Sequence, residues 1–165
     1  SEAGTAALLR THRGVRLVYA NRGGIHSATV RADGRPSRSR RLRRTGDLQA
    51  VASTRSSIVL LILFSDRRGS REDGLAVQRF THSGRGRPAI RIGRAGTNGM
   101  GERNDLFGGD VAADRSGRIY ATWWSERHAD SGSGYVTTVV ANRALPRRRL
   151  WRCDLPVLEP DGQDP

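Results

Sequence analysis

VASTRSSIVLLILFSDRRGSREDGLAVQRFTHSGR, residues Val51–Arg85, lies over VAADRSGRIYATWWSERHADSGSGYVTTVVANRAL, Val111–Leu145, at a constant offset of 60 residues without a gap. Val51/Val111, Ala52/Ala112, Arg55/Arg115, Ser56/Ser116, Ser65/Ser125, Arg67/Arg127 and Gly74/Gly134 are identical in that register. Phe64/Trp124 and Asp66/Glu126 are conservative pairs. A repeat of roughly 40–60 residues built from short apolar runs is the way a β-propeller encodes its blades. The expected fold is therefore all-β, a propeller-like array of four-stranded antiparallel blades.

A third copy lies upstream. Ile25–Arg35 (IHSATVRADGR) matches Leu75–Arg85 (LAVQRFTHSGR) at an offset of 50, and Tyr19–Arg22 (YANR) matches Phe64–Arg67 (FSDR) at an offset of 45. The difference falls in a loop, where length changes cost little. Three units follow, near 5–46, 47–103 and 104–154, with a C-terminal tail over 155–165.

Within the second unit the pattern predicts strands at Leu48–Ser53, Ile58–Phe64, Leu75–Thr81 and Ala89–Arg94. Ile58–Phe64 (IVLLILF) does not alternate, so both of its faces must be covered, as stacked blades do to their inner strands. The fourth strand does alternate, with Ile90 and Ile92 against Arg91 and Gly93, which suits a half-exposed edge. The third unit repeats the order at Asp110–Asp114, Ile119–Ser125, Tyr135–Asn142 and Arg147–Cys153, with Arg115-Ser116-Gly117 as a turn. Frequent glycine and the lack of a sustained 3.6-residue period leave room for helix only as a short turn at Thr5–Leu9.

Composition sets further bounds. Apolar residues make up 36% of the 165 and fall in runs, which argues for a packed core. The longest apolar run, Ile58–Phe64, is too short to span a bilayer as a helix. The first residues lack the form of a signal peptide, which fits a leader removed before Ser1 as well as cytoplasmic synthesis. The single Cys153 excludes an internal disulfide, and His12, His26, His82 and His128 never approach ligand spacing, so no metal and no cofactor is expected. All 29 basic residues are arginine, and a net charge of +13 attracts polyanions of any kind.

GGDVAADRSGRIYATWWSERHADSGSGYVTTVVANR, within the third unit, resembles a blade of the sialidase-like (neuraminidase-like) β-propellers, and VRADGRPSRSRRL upstream has the same pattern. The resemblance implies a short strand ending in a D-x-x-G-type turn, an aromatic-ended strand, a loop and a further strand. It also implies a secreted or cell-surface setting and a carbohydrate ligand, with cytoplasmic residence left open. The chain departs from that family in having no S-x-D-x-G-x-T-W box and no Arg-Ile-Pro element; Arg87-Pro88-Ala89-Ile90 is not one. The arginine triad, Tyr/Glu nucleophile pair and Asp acid of a sialidase have no place assigned in this sequence, and the catalytic residues stay unassigned. P-loop, dinucleotide, H-E-x-x-H and G-x-S-x-G motifs are absent.

Asn21-Arg22, Asp66-Arg67 and Glu126-Arg127 recur at the end of each second strand, and a pair repeated once per blade reads as a structural tie. Departures from the repeat are more informative about ligands. Trp123-Trp124 replaces Leu63-Phe64, and His128 and Tyr135 flank a Gly/Ser loop, so these four residues are the candidate ligand-binding group. Alternation sends the two tryptophans to opposite faces, so at most one stacks on a ligand and the other is core, and a core position for both is the favoured outcome. Arg38, Arg40, Arg41, Arg43 and Arg44 with Arg147, Arg148 and Arg149 are the candidate polyanion-binding group, each set in the fourth-strand slot of its unit. There they also discourage edge-to-edge association.

The function expected is a non-catalytic binding or assembly module for carbohydrate or another polyanion. A fragment of a sialidase-like glycosidase is the alternative, and nucleic-acid binding through the arginine clusters is weaker, since only Trp151 interleaves them. Closed propellers have four to eight blades. Three units therefore point to further blades in a longer parent chain, to a homodimer that completes a six-bladed ring, or to an open three-blade array with guarded edges.

Overall fold

The computed structural model describes residues 5–65, 73–94, 96–97, 103–129, 132–142 and 151–156, with side chains over 5–64, 74–93 and 109–123. No helix occurs among the described residues. The first sheet is a meander of β1 (Ala6–Thr11), β2 (Gly14–Asn21), β3 (Gly24–Val30) and β4 (Arg40–Arg43). The second repeats the order with β5 (Asp47–Ser53), β6 (Ser57–Ser65), β7 (Asp73–Thr81) and β8 (Ile90–Arg94). In the third, β10 (Arg103–Ala113), β11 (Ile119–Ala129), β12 (Gly132–Asn142) and β13 (Trp151–Pro156) lie in order, and the short β9 (Gly96–Thr97) pairs with β10 at the edge. All pairings are antiparallel and no sheet closes on itself. In the stretch Thr5–Leu9, where the sequence leaves room for a helical turn, the residues from Ala6 on are strand, because β1 pairs along its whole length with β2.

Ile58–Ile62 explains the stacking. These five residues are fully buried, which only cover on both faces allows. Ile58, Leu60 and Ile62 pack with Leu9, Val18 and Ile25 of the first sheet. Val59 and Leu61 pack with Val111, Ile119, Ala121 and Trp123 of the third. The second sheet is thus the middle layer. At its outer edge Ile90 and Ile92 reach the same core, while the Arg91 guanidinium lies 4.9 Å from the Phe64 ring centroid.

One hairpin turn is used three times. In Arg31–Arg35, Thr81–Arg85 and Asp114–Arg118 the first residue's N–H donates to the fifth's carbonyl, and the glycine N–H donates back to the first's carbonyl. Gly34, Gly84 and Gly117 sit at φ of 77°, 86° and 80°, the left-handed conformation that glycine adopts without strain. A side-chain oxygen of Asp33, Thr81 or Asp114 accepts from the backbone N–H of the arginine that ends each turn. The first two turns continue alike, with bridges Val30↔Pro36 and Phe80↔Gly86.

The gapless register between the second and third units needs one correction. Val51 pairs with Leu60, but Val111 pairs with Ala121 rather than Tyr120. The Asp114–Arg118 turn is one residue longer than the Thr54–Ser57 turn, and the extra residue slips everything after it. The true counterparts are Ile58/Ile119, Leu60/Ala121 and Ile62/Trp123, all facing the preceding sheet. In a strand, a one-residue slip exchanges the faces.

Candidate functional site

Alternating strand directions send the β1–β2, β3–β4, β5–β6, β7–β8 and β10–β11 turns to one end of the stack. At that end an open groove of about 500 Å³ lies between the first and second sheets. The β1–β2 turn supplies His12 and Arg13, the β5–β6 turn Arg55 and Ser56, and the β7–β8 turn Thr81, His82 and Ser83. Among the described residues no carboxylate lines it.

Local chemistry holds each turn in place. Thr54 organises the β5–β6 turn: its Oγ1 accepts from the N–H groups of Ser56 at 3.3 Å and Ser57 at 3.0 Å. That leaves the Arg55 and Ser56 side chains exposed. Thr11 plays a similar part in the β1–β2 turn, accepting from the Arg13 N–H at 3.2 Å. Thr81 and Ser83 share a hydroxyl hydrogen bond of 2.8 Å. Arg40 donates to the Ser83 carbonyl, joining the first sheet's arginine strand to the groove wall.

His82 is the buried member, only 8% exposed. Its Nε2 lies 3.4 Å from the Arg55 carbonyl and its ring packs edge-on to His12 at 5.2 Å. That bond assigns the proton to Nε2 and leaves Nδ1 buried without a partner. Burial holds the imidazole below its ordinary pKa; the bond to Arg55 opposes this, and the charges of Arg16, His12 and Arg13 lower it further. His12 Nε2 accepts from Arg13 Nε at 3.2 Å. Arg16, facing the second sheet, donates to the buried Ser27 hydroxyl at 3.0 Å and has its pKa lowered by burial and by Arg13.

The arginines hydrogen-bond to neutral oxygens. Arg43 bonds to the Thr45 carbonyl and Gln78, and Arg79 to the Gly117 carbonyl across the second and third sheets. Such bonds fix a guanidinium without cancelling its charge. The guanidinium groups of Arg13 and Arg55, the imidazoles of His12 and His82 and the hydroxyls of Ser56, Thr81 and Ser83 thus line one groove. No cluster of three or more metal-ligating side chains occurs among the described residues.

The candidate residues divide three ways. Trp123, one of the expected ligand contacts, is instead core: it is 4% exposed and packs against the second sheet. The register slip explains this, since Trp123 occupies the position of Ile62. Opposite it, Gly109 stands where the second sheet has Leu48, and the glycine lets the two backbones approach; a Cβ there would meet the Thr122 carbonyl and lie 3.0 Å from Trp123 Cβ. Trp124, His128 and Tyr135 are placed as strand backbone, Glu126 pairing with Tyr135 and His128 with Ser133, and their side chains lie outside the described residues. Arg38, Arg40, Arg41 and Arg44 are exposed, and Arg43 is half-buried. Arg147, Arg148 and Arg149 lie outside the described residues.

Of the recurrent pairs, Asn21 is seen in full. Its Oδ1 accepts from the Gly23 N–H at 2.8 Å, a tie within its own hairpin. Sequence reading passed over His12, Arg13, Arg55 and Ser56, because only packing of the first two sheets brings these separate turns together. No protein-family model, no curated protein and no solved structure matches the chain.

Proposed function

We propose that the three sheets are successive blades of a β-propeller-like array, and that the array is a binding module for a polyanionic partner, a carbohydrate carrying anionic groups or another polyanion. The blade reading draws support from the face-to-face order of the sheets and from the turn that the first and second sheets share between their third and fourth strands. The binding reading rests on one observation: the inter-sheet groove gathers Arg13, Arg55, His12 and His82 with hydroxyl groups and, among the described residues, no carboxylate. Arg40 at Ser83 extends the basic surface toward Arg38 and Arg41.

Titration with heparin as a sulfated polysaccharide, and with polyphosphate, tests the reading. Charge-assisted hydrogen bonds contribute roughly 1.5–3 kcal/mol each. Arg13→Gln and Arg55→Gln should then each weaken binding about tenfold or more at low salt, with a shallower salt dependence. Arg22→Gln serves as the control, since Arg22 lies exposed in the β2–β3 turn at the other end. Equal losses from Arg22→Gln and Arg55→Gln would reduce the effect to net charge and remove the groove as a site. Turnover of a fluorogenic sialoside, abolished by substituting an acidic or Tyr residue, would replace the binding reading with a hydrolase.

A further inference from the structure

Guanidinium groups stay charged at every physiological pH, whereas imidazole gains and loses its charge near neutrality. The groove holds both kinds of cation. His12 comes from the β1–β2 turn and His82 from the β7–β8 turn, and packing of the first two sheets sets their ring centroids 5.2 Å apart. His26, by contrast, stacks on Tyr19 and is not part of the groove lining.

The surroundings of His82 oppose a charge on the ring. From the first sheet it faces His12 and Arg13 of the β1–β2 turn and Arg16 of β2, and from the β5–β6 turn the Arg55 carbonyl. Arg40 of β4 reaches the carbonyl of the adjoining Ser83. Among the described residues no carboxylate acts on it. A proton added at Nδ1 would enter a buried position where the protein offers it no acceptor. His12 is held in its neutral form differently, because its Nε2 accepts from Arg13 Nε at 3.2 Å. A proton on that nitrogen ends the bond and turns two groups that satisfy each other into two donors for a third. An anion between them accepts from both. An opposite charge within about 4–6 Å also favours the protonated imidazole. Rings this close titrate as a pair, and the first proton disfavours the second, so uptake stops at one.

We propose that the groove takes up its anion together with one proton from solvent, held by the His12–His82 pair, so that binding tightens as the solution turns acid. This rests on the polyanion reading of the groove and adds its regulation. Proton and anion binding are reciprocal: whatever the anion does to the proton's affinity, the proton does to the anion's. A ligand that keeps its charge in acid profits most. Sulfate esters do so, whereas a phosphate monoester takes up a proton of its own near pH 6.

Isothermal titration calorimetry with heparin at fixed salt tests the coupling, at about pH 7.5 and about pH 5.5, either side of the ordinary histidine value of about 6.5. Paired buffers of different ionisation enthalpy report the protons taken up. One proton permits at most about a tenfold change in Kd per pH unit. The expected result is uptake of up to one proton and a Kd about tenfold lower at the acid pH. His12→Gln and His82→Gln should each reduce that change to about twofold, while His26→Gln keeps it. Circular dichroism checks that the variants fold, and His12, being exposed, tests the pair without disturbing the core. Suppose heparin binds, and Arg55→Gln weakens it more than Arg22→Gln, yet Kd is the same at both pH values. The coupling is then overturned and the groove still stands as a site. A pH dependence that survives both groove variants, or that His26→Gln abolishes equally, puts the proton elsewhere and overturns it too. Absence of heparin binding at either pH removes the groove reading and the coupling with it.

Discussion

Leu60 and Leu61 are adjacent, fully buried, and point in opposite directions, Leu60 to the first sheet and Leu61 to the third. In a sheet with one solvated face, one of two neighbours always lies on the wet side, and truncating it costs a few tenths of a kcal/mol. Here both substitutions to Ala remove three carbon groups from a dry interface. At about 0.8 kcal/mol per buried CH₂, the transfer contribution alone is about 2.4 kcal/mol for each. The space left behind raises this toward the 2–5 kcal/mol range of buried Leu→Ala changes. Urea unfolding followed by circular dichroism at neutral pH is the assay, with unchanged m-values as the sign that the unfolded state is the same. The expected result is two losses of similar size, each above about 2 kcal/mol. If either variant lost less than about 1 kcal/mol, β6 would have a solvated face and the three-layer order would be wrong.

The remaining predictions concern turns and titration. Gly34→Ala should destabilise by about 1–2 kcal/mol from backbone strain alone, since φ is +77° and nothing lies within 4 Å of the new Cβ. Gly84→Ala should cost more, because there the Cβ comes within 2.7 Å of Arg40 Cδ and must move the arginine off the Ser83 carbonyl; equal losses in paired urea melts would contradict this. His82 has its folded pKa below the ordinary value of 6.5, so the unfolded chain takes up the extra proton as pH falls through that value. Stability should therefore be full above about pH 6.5 and decline below it, by at most about 1.4 kcal/mol per pH unit until the depressed folded pKa is passed. His82→Gln should flatten that part of the pH profile; an unchanged slope would place the proton uptake elsewhere.

Strand positions were largely legible. The strands predicted at Leu48–Ser53, Ile58–Phe64 and Leu75–Thr81 lie within β5, β6 and β7, because local residue preference and turn chemistry act over a few residues. The two-faced burial of IVLLILF was legible for the same reason, as no solvated strand tolerates it. Spacing was less secure. The identities at Val51/Val111 and Arg55/Arg115 tempt a gapless alignment, yet one residue gained in the Asp114–Arg118 turn exchanges the faces of the next strand. Trp123 thereby passes from a candidate ligand contact to the core.

By itself, then, the sequence determined an all-β chain of repeated antiparallel hairpins, a middle strand that must be covered twice, and a strongly basic surface. These follow from period, composition and turn residues, which are properties of neighbours along the chain. Tertiary structure alone decided which sheet covers which, where Trp123 lies, and that His12, Arg55 and His82 share one groove. Those residues sit in three separate hairpins, and nothing local encodes their meeting. It is decided by the burial of Ile58, Leu60 and Ile62 against the first sheet, which brings the three turns to a common end.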